Sequence, residues 1–246
     1  MGSGKYFESY IDELIEKCGS NVFFATNSKD SIPKHLENHK SRSQFFVRFE
    51  KENEANFQSR LLESIITYRI THILSIQYPR RISSKIIDCV NGQAFNLHLA
   101  PLPEFKGWNG AAHAILEDFP YYGPTLHWMT SGIDDGDICF TSYAPIQTND
   151  TSYTILQGSR VRGRDLVTQL LNRFFENLEI PKVSQLTKGK FYVKNEIESF
   201  RIVQEVDDLE LISRTARAFS VPGFPPALLE IKTGEFIEIK FTPKEF

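Results

Sequence analysis

Short apolar runs alternate with amphipathic stretches along most of this chain, and that alternation limits the fold more than any other feature. Val22–Thr26, Ile73–Ile76, Ala94–Leu99, Pro124–Thr130 and Phe140–Pro145 read as strands, with Phe45–Phe49 as a further candidate. Between them lie helical patterns. Tyr6, Phe7, Tyr10, Ile11, Leu14, Ile15 and Cys18 recur at three- and four-residue spacing over residues 5–18, and Gly19 ends the pattern. Asn56–Arg69 repeats it through Phe57, Leu61, Leu62, Ile65 and Ile66. Ser83–Cys89, Asn109–Glu117 and a Thr/Ser-capped stretch over 152–177 are the remaining helices, and 27–43 reads as loop or short helix. Such a chain folds as α/β, a doubly wound and mostly parallel sheet.

After Pro181 the pattern changes. Leu186–Ile197 reads as irregular, Asp208–Ala218 as a helix, and the segment after Pro222 as a hairpin turning at Thr233-Gly234. We therefore expect a catalytic domain over 1–180 and a small C-terminal α+β extension over 181–246. The start is unusual. A doubly wound sheet opens with a central strand before its first helix. Here the helix begins near residue 5, and Met1-Gly2-Ser3-Gly4 reads as the end of a strand and its turn. The expectation is a chain that starts late, which an upstream reading frame encoding a short apolar run would bear out. Gly2-Ser3-Gly4 is too short for a dinucleotide fingerprint.

Composition removes several function classes. Across 246 residues, 28 Lys+Arg face 31 Asp+Glu, a net charge of -3. Affinity drawn from phosphate neutralisation needs a basic stripe, so a nucleic-acid partner is not expected. No apolar run reaches the ~18 residues of a membrane span. Cys18, Cys89 and Cys139 are too scattered for a disulfide framework or a CxxC pair, which suits the reducing cytoplasm. Asp134, Asp135 and Asp137 lack a His/Cys partner set, so they read as an acidic turn and no metal is expected.

The chemistry concentrates in residues 94–140. Asn96 and His98 stand two apart, on one face of a strand near its end. An amide beside an imidazole suits a site that stabilises a developing oxyanion. Asp134, from a later loop, can orient that imidazole. His113 and His127 read as packing residues on a helix and a strand, and Trp108 as either a stacking platform or a loop anchor.

Asn96-Leu97-His98, then Leu102-Pro103-Glu104-Phe105-Lys106-Gly107, then Gly132-Ile133-Asp134-Asp135-Gly136 stand in the order and spacing of a known pattern. The chain resembles the formyltransferases that use N10-formyltetrahydrofolate. Phe105–Asn109, Tyr122–Met129 and Pro222–Ala227 resemble the sugar N-formyltransferase branch. Ala100, where relatives often carry Ser, and Gln77-Tyr78, where many carry a His-aromatic pair, depart from it. Methionyl-tRNA formyltransferases resemble the core but add a larger C-terminal barrel and must grip tRNA.

The resemblance implies formyl transfer from N10-formyltetrahydrofolate to the amine of a nucleotide-linked amino sugar, typically dTDP-4-amino-4,6-dideoxyglucose, for O-antigen or other surface polysaccharide. Asn96, His98 and Asp134 are the implied catalytic set. An apolar slot between Ile76–Ile82 and Ile133–Asp137 is the expected pterin site, with Gln77, Tyr78, Ile82, Ile133 and Asp137 as contacts. Lys106, Gly107, Trp108 and Asn109 are the expected substrate contacts, with Arg160, Arg162 and Arg164 in reach of the pyrophosphate. A cytoplasmic homodimer joined through the C-terminal region is expected. The rival functions are a formyltetrahydrofolate hydrolase or other folate-dependent formyltransferase, and a non-catalytic folate- or nucleotide-sugar-binding homologue.

Overall fold

The structure, a computed structural model, describes residues 4–19, 22–26, 45–47, 52–204 and 206–242. In chain order the elements are α1 (Gly4–Cys18), β1 (Phe24–Thr26), β2 (Phe45–Val47), α2 (Glu54–Thr67), β3 (Ile73–Ile76), α3 (Ser84–Cys89), β4 (Ala94–His98), β5 (Phe105–Gly107) and α4 (Gly110–Leu116). There follow β6 (Tyr121–Tyr122), β7 (Thr125–Trp128), β8 (Ile138–Thr141), β9 (Ala144–Pro145), α5 (Ser152–Phe175), β10 (Lys190–Tyr192), β11 (Ile202–Val203), α6 (Leu209–Ala218), β12 (Ala227–Lys232) and β13 (Glu235–Ile239). The pairs β1–β2, β3–β4, β5–β10 and β11–β12 are parallel, so the fold is mixed α/β with parallel strands. The Met1–Ser3 turn and residues 27–43 fall outside the described residues.

Contacts divide the chain into two compact units. One takes in Met1–His98 and Leu126–Asp137, the other Leu99–Thr125 and Ile138–Phe246. This division does not fall at the expected boundary near residue 180.

In the first unit the helices form where apolar periodicity places them. The α1 stripe Phe7, Tyr10, Ile11 and Leu14 is buried, and Phe7 meets Phe24 edge-on at 6.2 Å between ring centroids. Asn53 caps α2 by accepting from the Asn56 N–H at 2.8 Å, which satisfies one of the helix's orphan donors. Phe57, Leu61 and Ile65 of α2 and Ile86 and Ile87 of α3 pack with Ile73, Ile82 and Ala94 into one core. In the sheet β4 lies between β3 and β7. Ile73–Ile76 run in register with Ala94–Leu97, and Met129 N–H donates to Ala94 O at 2.8 Å.

The second unit packs Phe105, Ala114, Ile115, Tyr122, Ile155 and Tyr192 around α4. Thr151 and Thr154 form a reciprocal capping box that starts α5. Two strand readings need correction. Phe140–Pro145 is not one strand: Ser142 N–H turns to Pro124 O at 3.2 Å, and β9 pairs antiparallel with β6 instead. Leu186–Ile197 is not irregular throughout, because Lys190–Tyr192 form β10 beside β5. Only Tyr192 of the three is buried, so no apolar alternation announces that strand.

Four side chains bind α4 to β10. Tyr192 O–H donates to Glu117 Oε1 at 2.7 Å, Lys190 Nζ donates to the same oxygen at 2.6 Å, and the Tyr192 ring lies on His113 at 3.9 Å. His113 is 1% exposed and its Nε2 has no hydrogen-bond partner. Burial therefore pushes the imidazole down to about 4 from the usual 6.5, despite the nearby Glu117 and Glu196 carboxylates. A base held neutral in the fold but protonated in the unfolded chain makes stability fall as pH drops from 6.5 towards 4. The loss is about 2–3 kcal/mol at one residue. His113→Phe keeps the ring stack and removes the proton site. Its melting temperature should therefore fall less than the wild type's between pH 6.5 and 4; parallel curves would refute the assignment.

Candidate active site

The site sits where β4 ends beside β7, within the first unit. Phe95 and Leu97 face the core of that sheet, so Asn96 and His98 project from its opposite face. His127 lies on neighbouring β7 and is buried. Asp134 comes from the loop after β7. That loop is closed by Trp128 N–H donating to Asp137 O at 2.8 Å, and braced internally by Thr130, whose hydroxyl donates to Asp135 and accepts from the Gly132 N–H.

Asp134 adopts φ 54°, the left-handed region, where Asp is better tolerated than most residues. Two residues on, Gly136 passes so close to β7 that a Cβ would stand 1.9 Å from Trp128 O. Gly136 is thus a steric requirement of the turn that presents the Asp134 carboxylate.

That carboxylate is divided between three partners. Its Oδ2 lies 3.6 Å from His98 Nδ1, while Oδ1 lies 3.5 Å from His127 Nε2 and 3.4 Å from Asn96 Nδ2. The imidazole distances are those of ion pairs rather than tight hydrogen bonds; catalytic contacts commonly tighten only when substrate binds. Asn96 Nδ2 also lies 3.0 Å from His127 Nε2. His127 Nδ1 is 2.7 Å from Trp128 O, and a carbonyl can only accept, so Nδ1 carries a proton. Nε2 is bare when it accepts from Asn96 and protonated when it pairs with Asp134, so it serves one of the two partners at a time. Asp134 is 9% exposed at its side chain and His98 13%, so the group is shielded yet reachable.

Asn96, His98 and Asp134 are thus brought together. His127 joins them, where the sequence suggested packing. Its position two residues before Met129, on a strand alternating toward the Asn96 face, was the available signal.

The other expected contacts scatter. Tyr78 lies against Phe57 with its hydroxyl 3.2 Å from Glu54 Oε1, and Ile82 is part of the core. Gln77 takes φ 50° at the turn after β3. Ile133 is 47% exposed, and Asp137 spends its carbonyl on loop closure. One contact missed from sequence joins the first expected wall of the slot to the loop just before the second: Arg81 donates to Ser131 O. Lys106, Gly107, Trp108 and Asn109 lie in the second unit. Lys106 is buried and its ammonium makes no ion pair among the described residues, whereas Trp108 is exposed. Asn109 Nδ2 donates to Lys194 O at 2.9 Å, which occupies the amide. Arg160, Arg162 and Arg164 lie along α5. Among the described residues no group of His, Cys, Asp and Glu is arranged to hold a metal, and no helix is long and apolar enough to cross a membrane.

A carboxylate between two imidazoles and an amide, at the end of a parallel strand, can orient a base and stabilise an oxyanion. A family model for formyl transferases matches residues 1–171. The chain belongs to the formyltransferase family. It is 24% identical over 159 residues to a phosphoribosylglycinamide formyltransferase of Bacillus subtilis, a stretch covering 63% of this chain and 82% of that one. Among solved structures it resembles a sugar N-formyltransferase from a Shewanella species, with TM-score 0.76 and 20% identity over 100% of this chain and 96% of that one. It also resembles an N-formyltransferase of Helicobacter canadensis solved with folinic acid and dTDP-3-aminofucose, with TM-score 0.61 and 20% identity over 81% of this chain and 80% of that one. The protein is therefore a formyltransferase enzyme.

Gly136→Ala tests the loop that presents Asp134. Forcing a Cβ against Trp128 O should cost about 1–3 kcal/mol, read as a fall of several degrees in melting temperature. An unchanged melting temperature would mean that the loop does not pass β7 as described.

Proposed function

We propose that this enzyme transfers the formyl group of N10-formyltetrahydrofolate to the amine of a nucleotide-linked amino sugar. The observation that carries the proposal is the Asp134 carboxylate gathering Asn96, His98 and His127 in a chain of the formyltransferase family. Support for the sugar acceptor is the likeness to a sugar N-formyltransferase over the whole chain, including the residues beyond 171 that the family model does not reach. Support for the folate donor is the folinic acid in the Helicobacter canadensis enzyme. dTDP-4-amino-4,6-dideoxyglucose is the proposed acceptor, and surface-polysaccharide synthesis such as that of O-antigen the proposed use.

The neutral amine attacks the formyl carbon, and the carbonyl oxygen becomes an oxyanion. Asn96 donates to that oxygen by turning one amide hydrogen away from His127 or Asp134. His98, oriented through Nδ1 by Asp134, handles the proton that leaves the amine, and that proton ends on the departing folate nitrogen. His127 keeps Asn96 in place. Acid–base assistance supplies about 10²–10⁴-fold and one oxyanion donor about 10²–10³-fold. Residues 76–82 and 133–137 are the proposed donor slot, with Gln77 and Ile133 at its edge and Arg81 bonded to Ser131 O just before the second stretch. Lys106, a buried cation without an ion-pair partner among the described residues, is the proposed diphosphate contact. Asn109 holds the chain around Lys194 rather than substrate. A cytoplasmic setting is supported by Cys18, Cys89 and Cys139, which are free thiols.

The test is a panel of dTDP-, UDP- and GDP-amino sugars incubated with N10-formyltetrahydrofolate, read by a mass gain of one formyl group. At least one dTDP-4-amino sugar should gain it, and Asn96→Ala or His98→Ala should cut turnover by at least about 10²-fold. Release of free formate with no sugar modified would instead mark a hydrolase.

A homodimer across the β12–β13 hairpin is also proposed. Ile231, Phe236 and Ile237 are exposed there, and β13 is a sheet edge. Light scattering should give twice the chain mass for the wild type and the single chain mass for Phe236→Glu; a monomeric wild type would exclude the dimer.

A further inference from the structure

The segment that follows β3 is pinned to α2 by side chains of one helix face. Gln58 Nε2 donates to Arg81 O at 2.6 Å and to Glu54 Oε1 at 2.9 Å, and Gln58 Oε1 accepts from the Ser83 N–H at 2.8 Å. Tyr78 O–H donates to Glu54 Oε1 at 3.2 Å, and Arg80 Nε lies 3.9 Å from Glu54 Oε2. The backbone is therefore fixed on both sides of Arg81. From that base the Arg81 guanidinium reaches the turn that carries Asp134 and donates to Ser131 O.

That turn needs a hold. Asp134 stands at φ 54°, a conformation that costs a non-glycine residue and persists only where its surroundings enforce it. The Trp128–Asp137 bond and the close pass of Gly136 fix the turn to β7, and Thr130 braces it internally through Asp135 and Gly132. Among the described residues, the bond from Arg81 is the one hydrogen bond that reaches Thr130–Ile133 from outside the turn. Arg81 and Ser131 are both exposed, where water competes for the bond, so it adds little to overall stability. Its place, three residues before Asp134, gives it a different use.

We propose that Arg81 is a positioning residue for formyl transfer: by holding Ser131 O it keeps the Asp134 carboxylate in reach of His98 and Asn96. The carboxylate stands 3.6 Å from His98 Nδ1 and 3.4 Å from Asn96 Nδ2. A shift of the turn by about 1 Å away from β4 therefore ends both contacts. Arg81 acts through the turn and not on the substrate. The inference rests on the reading of Asp134 and His98 as catalytic, and adds α2, through Gln58 and Arg81, to what orients them.

The experiment uses the full-length protein. Arg81→Met removes the donor and keeps the apolar stem, whereas Arg81→Lys keeps a donor of similar reach. The first readout needs no acceptor. In protein labelled with nitrogen-15 at histidine, the His98 ring signals of Arg81→Met should move toward their positions in Asp134→Asn, while those of Arg81→Lys stay near the wild type. Folinic acid affinity, measured by calorimetry, should stay within a few-fold of wild type in both Arg81 variants. On the amino sugar found by the panel above, Arg81→Met should lower kcat about 10- to 100-fold with KM little changed, and Arg81→Lys should restore most of it. Added to Asp134→Asn, Arg81→Met should cost no more than a few-fold. His98 signals in Arg81→Met that match the wild type would overturn the proposal. So would a loss of folinic acid affinity at full kcat, which would make Arg81 a donor contact, or an undiminished cost on the Asp134→Asn background. Wild-type turnover in Asp134→Asn itself would instead remove the catalytic reading of Asp134, and the proposal with it.

Discussion

A single carboxylate must satisfy two imidazoles and an amide, and the first unit is arranged around that demand. Asp134 can face His98, His127 and Asn96 together only from a turn that enters the left-handed region and then brushes β7. The turn in turn requires Gly136 beside Trp128, the Thr130–Asp135 brace and the Trp128–Asp137 closure. The register of β7 on β4, set by Met129 and Ala94, decides which side chains of the two strands meet. Ala94 and Met129, the residues of that bond, pack with α2 and α3 in one core, which joins the helices to the strands that carry the site.

The second unit follows a different constraint, close approach of two backbones. Gly107 admits the strap, and Tyr192 locks it by burying its ring against His113 and Phe105 while its hydroxyl reaches Glu117. His113 is neutral there because burial outweighs the carboxylates nearby. Phe105–Gly107 thus serve as a docking strip, and the docked segment lies beyond residue 171, where the match to the family model ends.

Much of this was legible in the sequence, for identifiable reasons. Helices α1, α2 and α5 announce themselves because each buries a continuous stripe or carries a side-chain cap, both local properties. Asn96, His98 and Asp134 were legible as a set because their order and spacing, with Leu102–Gly107 between them, resemble the formyltransferase pattern. His127 was not, because a buried histidine on an apolar strand looks like packing until its neighbours are known. β10 was hidden because its pairing with β5 is set across more than eighty residues by backbone bonds, with two of its three side chains exposed. The two units were hidden because each is assembled from separated stretches of chain, with no composition break at Leu99, Leu126 or Ile138.

The central claim is that Asp134 acts through His98 as one device. A double-mutant cycle on formyl transfer, with His98→Ala, Asp134→Asn and the double variant, tests it most directly. Groups that act as a unit are strongly non-additive. The double variant should therefore be no slower than the worse single variant within a few-fold. A double variant slowed by the product of the two single losses would show that the carboxylate and the imidazole act independently, and would contradict the account.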